Sequence, residues 1–396
     1  MPPTSNARGP CVTKTRFAIV GCGFVADYYM TTLANHAGLA LAGVWDRDAE
    51  RLQQFCAYHQ IKAYGSLDEI LRDESVAIVA NLTNPESHFE ISKAALLAKK
   101  HVYSEKPLAL SYIEASDLIG FASNRHVTIC SAPANGLSDA HRLVADNLQR
   151  IGTPRLVYAE MEDGPVFREK WQTWKSKSGA KWPGMHEFET GCTLEHSGYA
   201  LSWLVSLFGP VEEVTSFSAL TFPDKGEGSE GLSLAEDFSV GCLQFKSGLA
   251  ARITSGFAAP RDRSLTILGD HGSITVRDLW DNRSAVHLEE TSAPRPLVQR
   301  VARRLEGALG RALPFKQVPG RRLSYPKSAK RRYLPAYPSQ IDFMAGIAEQ
   351  ANMIATGEAA LFSGPLALHI TEIALALHDG GRQPQPYHVK SVFLTE

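Results

Sequence analysis

Gly21, Gly23 and Ala26 are spaced as G-x-G-x-x-A directly behind the apolar run Phe17–Ala18–Ile19–Val20, and a helix-like segment follows. That spacing suits a pyrophosphate. Gly21 allows a tight turn, Gly23 removes the Cβ that would keep phosphates off the backbone, and Ala26 lets the helix pack closely on the strand. Phe24 and Val25 lie in the same turn, where a helix N-terminus offers free N–H groups and a partial positive charge. Asp46 stands twenty residues beyond Ala26, closing a second apolar run, Leu39 to Trp45. A carboxylate there accepts from a ribose 2′-hydroxyl and repels a 2′-phosphate, which favours NAD over NADP. Arg47 works the other way, because a guanidinium pairs with such a phosphate, so NADP stays the alternative cofactor. Asp46 also reads as an N-cap of the next helix. The glycine string alone is weak evidence; the preceding strand and the acid at this distance give it weight.

The elements that must position these residues alternate strand and helix. After Asp46 the pattern predicts a helix to His59, a short strand near Ala63–Tyr64, and a helix opened by the capping box Ser66-x-x-Glu69. Val76 to Leu82 reads as a strand, Pro85 to Lys100 as a helix, and His101–Val102–Tyr103 as a strand. Ser111-x-x-Glu114 caps a helix to about Arg125, and Val127 to Ala132 is a further strand. Such alternation predicts a parallel, doubly wound Rossmann sheet with right-handed crossovers, over residues 16–134. Ligands bind outside the carboxyl ends of its strands, where Gly21, Asp46, Asn81–Pro85 and Ser104–Pro107 gather.

Beyond Pro133 the pattern changes. Helices are expected at Ser138 to Arg150 and Thr193 to Phe208, around a strand at Leu156 to Glu162. Long β-prone runs follow at Glu213 to Thr221, Phe238 to Phe245, Leu249 to Phe257 and Ser264 to Val276. Tight turns at Lys246–Ser247–Gly248 and Asp270–His271–Gly272 predict a large, mainly antiparallel open sheet. Apolar residues at helical spacing mark two late helices, Ser339 to Thr356 and Pro365 to Leu377. Residues 135–396 thus read as an α+β domain for substrate and self-association, and residues 1–15 as a flexible tail.

Bulk properties exclude several classes. At 396 residues, with 44% hydrophobic and 21% charged residues, this is ordinary two-domain globular composition. No apolar run approaches the ~20 residues of a membrane span, and the polar start of the chain lacks the apolar core of a secretory signal. Six cysteines (11, 22, 56, 130, 192 and 242) have no C-x-x-C spacing, which points to reduced thiols in the cytoplasm and no metal. The net charge of −1 hides an asymmetry: Arg300 to Arg332 holds eleven Lys or Arg and one acid, Glu306. That stretch is +10, which leaves −11 on the remainder, so no nucleic-acid partner is indicated.

Three elements together resemble the Gfo/Idh/MocA oxidoreductases, the glucose–fructose oxidoreductase and inositol dehydrogenase group. They are the G-x-G-x-x-A turn, Leu82–Thr83–Asn84–Pro85-x-x-His88 followed by Glu105–Lys106–Pro107, and an antiparallel domain after about residue 135. The resemblance implies that Lys106 reaches the nicotinamide and a substrate hydroxyl, where an ammonium stabilises a developing alkoxide and burial lowers its pKa. Glu105 hydrogen-bonds cofactor or orients the lysine. Thr83 and Asn84 contact the nicotinamide ribose or cap the helix at Pro85, and His88 lines the cleft or bonds locally.

The family usually carries G-G-x-L-x-D-x-G-x-H, whereas this chain reads Gly191–Cys192–Thr193–Leu194–Glu195–His196–Ser197–Gly198–Tyr199–Ala200. One register puts His196 in the Asp slot and Ala200 in the His slot. The other pairs Glu195 with Tyr199, i and i+4, restoring an acid and a phenol whose pKa a nearby cation would lower. Glu195, His196 and Tyr199 are all candidates for the acid–base role. Trp171, Trp174, Trp182 and His186 suit a saccharide, whose C–H faces stack on indoles.

These readings predict an NAD(P)-dependent oxidoreductase acting on a sugar, cyclitol or sugar-nucleotide hydroxyl. A redox-neutral NAD-dependent sugar enzyme and a non-catalytic NAD/sugar-binding regulator are the alternatives. We expect a homodimer or homotetramer through the second-domain sheet. Leu297, Val301, Leu305, Ala308 and Ala312 form a helical stripe within the basic insertion 297–332. It is expected to pack on the sheet or a neighbouring subunit, with attachment to an anionic membrane as the lesser reading.

Overall fold

A computed structural model describes residues 14–294, 297–313, 318–326 and 333–393. Five parallel strands make the first sheet: β1 (Thr15–Val20), β2 (Leu39–Trp45), β3 (Ile78–Asn81), β4 (His101–Ser104) and β5 (Ile129–Ser131), in the order β2-β1-β3-β4-β5. Phe17 and Ile19 bury themselves in one core and Ala18 and Val20 in another, so both faces are covered and the strand reads as a continuous apolar run. Helices α1 (Ala26–Thr32), α2 (Ala49–His59), α3 (Leu67–Arg72), α4 (Pro85–Leu97) and α5 (Tyr112–Arg125) connect the strands. Side-chain oxygens of Asp48, Ser66 and Ser111 accept from backbone N–H groups at the starts of α2, α3 and α5. Asp48, and not Asp46, is therefore the cap of α2.

Parallel register sets the site. Val20 pairs with both Trp45 and Asn81, and Asn81 pairs with Ser104. Gly21, Asp46, Leu82 and Glu105 consequently leave the sheet along one edge. Strand order reverses between β1 and β3, β2 lying on one side of β1 and β3 to β5 on the other, which opens a crevice there. The strand expected at Ala63–Tyr64 is only a bridge from Val44 to Ala63.

The second sheet has nine strands. They are β6 (Pro154–Glu162), β7 (Val211–Ala219), β8 (Phe238–Phe245), β9 (Ala250–Gly256), β10 (Leu265–Gly269), β11 (Gly272–Val276), β12 (Val286–Glu290), β13 (Arg321–Arg322) and β14 (Tyr387–His388). Their order is β13-β12-β11-β10-β6-β9-β8-β7-β14, and every pairing is antiparallel except β6 with β9. The helices of this half are α6 (Asp139–Ala145), α7 (Gly184–Thr190), α8 (Cys192–Phe208), α9 (Leu297–Leu309), α10 (Ala345–Thr356) and α11 (Gly364–His378). Packing of α11 on β8 requires Gly241, where a Cβ would lie 2.1 Å from Leu377 Cδ2.

Three expectations are corrected. The helix predicted over Ser138 to Arg150 stops at Ala145 and gives way to a short 3₁₀ turn at Leu148–Ile151. Asn147 explains the break, because its side-chain amide donates to Leu143 O at 2.8 Å and competes with the backbone ladder. Residues 339–344 are not helical; His36 Nε2 lies 3.0 Å from Asp342 Oδ1, which ties this segment to the first domain. Finally, the stripe on α9 does not pack on the sheet. Of that helix only Ala302 is buried, while Leu297, Val298, Val301, Leu305 and Leu309 are exposed.

The halves are firmly joined. Gln350 of α10 donates to Val102 O at 2.9 Å, and α11 contributes Ala367 to the first-domain core. No helix among the described residues is long and apolar enough to cross a membrane.

Candidate active site

A cavity of about 1040 Å³ opens at the edge where Gly21, Asp46, Leu82 and Glu105 leave the first sheet, and its other wall belongs to the second domain. Gly21 sits beneath the turn at φ +99°, and a Cβ there would meet Leu82 O at 2.6 Å. Only glycine fits that approach. Gly23, Phe24 and Val25 face the cavity, whereas Ala26, the first residue of α1, is buried. A Cβ on Gly23 would find nothing within 4 Å, so the backbone there is open to a ligand. Among the described residues, none accepts from the N–H groups of Gly23, Phe24 or Val25. Open backbone and free donors at a helix start fit the pyrophosphate of a dinucleotide.

Asp46 is buried, and it holds the turn. Its Oδ2 accepts from Cys22 N at 2.7 Å and its Oδ1 from Asp48 N at 2.8 Å. Arg47 is exposed and off the cavity wall, but Arg51 of α2 lies on it, 3.7 Å from Asp46 Oδ2. The guanidinium beside Asp46 on the cavity wall thus comes from residue 51, a helical turn beyond the one singled out in the sequence.

Leu82, Thr83, Asn84 and Pro85 line the cavity after β3. His88 does not. It is fully buried, with Nδ1 2.6 Å from Pro107 O and Nε2 2.9 Å from Thr83 O, so it clamps two cavity loops together. Burial pushes its pKa below the usual histidine range, against the pull of those carbonyls. The expectation that it lines the cleft is corrected.

Lys106 follows β4 and crosses to the second domain. Behind it, Glu105 Oε1 accepts from Tyr29 Oη at 2.7 Å and Oε2 from the Lys106 backbone N–H at 3.1 Å. Lys106 Nζ then donates to Glu195 Oε2 at 2.5 Å. Burial opposes the ammonium, yet the Glu195 and Glu105 carboxylates outweigh it and hold the pKa above the ordinary lysine value. The lowered lysine pKa expected from burial is therefore wrong; a carboxylate in contact dominates.

Glu195, His196 and Tyr199 share the first turns of α8 and all line the cavity, while Ala200 faces the core. The register pairing Glu195 with Tyr199 is the one that faces the site. Burial raises the Tyr199 phenol well above its usual range even with Lys106 Nζ 5.8 Å from its ring centroid. The expected lowering fails, and Tyr199 is a neutral O–H. His196 packs edge-on against Phe257 and Trp280, and burial, with Lys106 and Arg263 nearby, pushes its pKa down to about 3. It is a neutral imidazole.

Trp174, Trp182 and His186 line the outer wall, but Trp171 is buried in a separate cluster with Phe188 and Phe257 and donates its indole N–H to Lys225 O at 3.3 Å. Its expected substrate contact is withdrawn. Three further polar residues lie on the wall, of which Asp163 carried no signal in the sequence. Glu187, whose pKa burial and the Glu195 charge raise, reaches the wall because the chain turns between α7 and α8 at Gly191. Asp163 follows β6, and Arg261 lies 3.5 Å from Asp163 Oδ1. Among the described residues no cluster of three metal-ligating groups occurs.

Residues 15–132 match the sequence profile described as "Oxidoreductase family, NAD-binding Rossmann fold" (GFO_IDH_MocA), and residues 139–275 match the "GFO/IDH/MocA C-terminal domain". The chain belongs to the Gfo/Idh/MocA oxidoreductase family. Its amino-terminal domain is an NAD-binding Rossmann domain, and the protein is an NAD(P)-dependent oxidoreductase. It is 26% identical over 279 residues to 1,5-anhydro-D-fructose reductase of Ensifer adhaerens, covering 68% of this chain and 77% of that one. It is 30% identical over 145 residues to UDP-N-acetylglucosamine 3-dehydrogenase of Acidithiobacillus ferrooxidans, 37% of this chain and 44% of that protein. The fold is similar to WlbA dehydrogenase from Bordetella pertussis, solved with NADH and UDP-GlcNAcA, at TM-score 0.67 and 18% identity, covering 93% and 96% of the two chains.

Proposed function

We propose that this oxidoreductase transfers a hydride between nicotinamide and a hydroxyl-bearing carbon of a sugar, cyclitol or sugar-nucleotide, with Lys106 and Glu195 handling the hydroxyl proton. The observation that carries this reading is their 2.5 Å contact on a wall continuous with the free N–H groups of the Gly23–Val25 turn. The turn and the loop Leu82–Pro85 hold the dinucleotide, which when bound supplies the hydride chemistry. Lys106, charged and half-shielded, donates to the substrate oxygen and stabilises alkoxide character there. Glu195 accepts the proton that Lys106 passes on during oxidation and returns it during reduction. Tyr199, as a neutral donor, orients the same hydroxyl; His196, a neutral imidazole at the back, is the second acceptor within reach of the wall. Trp174, Trp182 and His186 hold the far part of the substrate.

Relatives acting on a sugar ketone, a sugar nucleotide and scyllo-inositol by their printed names support a polyhydroxy substrate. The sheet face away from α8 and α11, with Phe217 and Tyr158 exposed, supports self-association there into a dimer or tetramer. Described cysteines are all unpaired, in keeping with the cytoplasm. Purified protein should change the absorbance of reduced nicotinamide with at least one member of a sugar, cyclitol and sugar-nucleotide panel. Product formed without that change would replace this reading with a redox-neutral one.

A further inference from the structure

Helix α9 presents an unusual surface. At 3.6 residues per turn, Leu297, Val298, Val301, Leu305, Ala308 and Leu309 fall within an arc of about 120°. That arc is open: Leu297 is 71% exposed, Val298 76%, Val301 46%, Leu305 48% and Leu309 54%. Among the described residues, the helix meets the body along one neighbouring edge. Ala302 is buried there, and Gln299 Nε2 donates to Val318 O at 2.8 Å and Gly320 O at 2.9 Å. Arg300, Arg303 and Arg304 occupy the opposite edge, all exposed and without an ion pair among the described residues. The one acid, Glu306, is engaged by Leu313 N at 3.1 Å.

We propose that α9 lies in the plane of an anionic lipid surface, its apolar arc in the acyl boundary and its arginines on the headgroups. The charge distribution selects this occupant. Two copies of this face brought together would align arginine edges with no acid to meet them, which opposes self-pairing. An anionic bilayer answers both features at once: apolar burial along the arc and cation attraction along its rim, with guanidiniums reaching outward from their stems. Arg311 and the lysines and arginines of 316–332 add to the same sign. The enzyme would thereby work beside a membrane.

The full-length protein is sedimented with vesicles of phosphatidylcholine alone and with about 30% phosphatidylserine added. Wild type pellets with the anionic vesicles, releases at high salt, and stays in solution with the neutral ones. Each of Arg300→Gln, Arg303→Gln and Arg304→Gln weakens the partition about fivefold. The double variant Val301→Asp, Leu305→Asp abolishes it, while thermal unfolding and dinucleotide binding stay as in wild type. Equal partition onto both vesicle types, or none onto either, overturns the proposal. So does a drop in solution mass of the double variant, which would assign this face to a second copy of the chain.

Discussion

The ammonium of Lys106 and the carboxylate of Glu195 meet at 2.5 Å although they lie 89 residues apart, one after a strand of the first domain and one on a helix of the second. Each half of the molecule contributes one charge of this pair. Lys106→Met removes the cation while keeping its apolar stem. The loss expected is roughly 10²–10⁴-fold in kcat, the range for a positioned proton-transfer group. Dinucleotide affinity should be unchanged, because the turn at Gly23–Val25 does not involve residue 106. Turnover at the wild-type rate would remove Lys106 from the mechanism.

Glu195→Gln tests the same pair from the other side. Burial pushes the Lys106 pKa down, and the Glu195 charge is the leading influence that pushes it up. With that charge gone, burial is less opposed, and the lysine loses its proton at lower pH than in wild type. The alkaline limb of kcat/KM should therefore move to lower pH in Glu195→Gln, alongside a lower maximum. A pH profile scaled down without displacement would show that Glu195 does not set the state of Lys106.

Much of the first half of this arrangement was legible in the sequence because it is local. Turn, acid and loop each follow a strand directly, so strand register carries Gly21, Asp46, Leu82 and Glu105 to one edge. Side-chain environment was not legible. Trp171 and Trp174 look alike in sequence, yet one is core and the other faces the cavity. His88 has the position of a cleft residue but spends both ring nitrogens on backbone carbonyls. The pKa expectations for Lys106 and Tyr199 failed for a related reason: the sign depends on which charge stands closest after folding, and spacing along the chain does not reveal that. The parallel pairing of β6 with β9 joins strands nearly a hundred residues apart, beyond the reach of turn signals.

Glu162 makes a separate prediction about stability. Its buried Oε2 has no hydrogen-bond partner, and burial raises the pKa from 4.5 to about 7. A carboxyl whose pKa is raised on folding stabilises the native state fully below its unfolded value, and loses that contribution as pH rises through the folded value. Glu162 therefore favours the fold at about pH 4.5 and stops doing so above about pH 7. The buried neutral histidines His141 and His369, pushed down to about 4, run the opposite way below 6.5. Comparison of wild type with Glu162→Gln isolates the one group. The Tm of wild type should fall relative to the variant between about pH 5 and pH 8. A constant difference across that range would mean that Glu162 does not titrate there.

Two glycines of one turn should lose dinucleotide binding alike on change to alanine but differ in stability. At Gly21 the added Cβ meets Leu82 O at 2.6 Å, and the backbone sits at φ +99°, so two main-chain segments must separate. Strain of this kind costs roughly 1–3 kcal/mol, and Gly21→Ala should lower Tm and weaken dinucleotide binding together. At Gly23 the Cβ meets nothing within 4 Å, so Gly23→Ala should unfold at the wild-type temperature. Its methyl group, however, projects where a pyrophosphate must approach the free N–H groups, and binding should fall as steeply as in Gly21→Ala. Calorimetric titration with NAD and thermal unfolding, run on both variants, separate the two effects. If Gly23→Ala bound NAD as tightly as wild type, the phosphates would lie elsewhere than against this turn, and the hydride-transfer geometry built from it would fall with them.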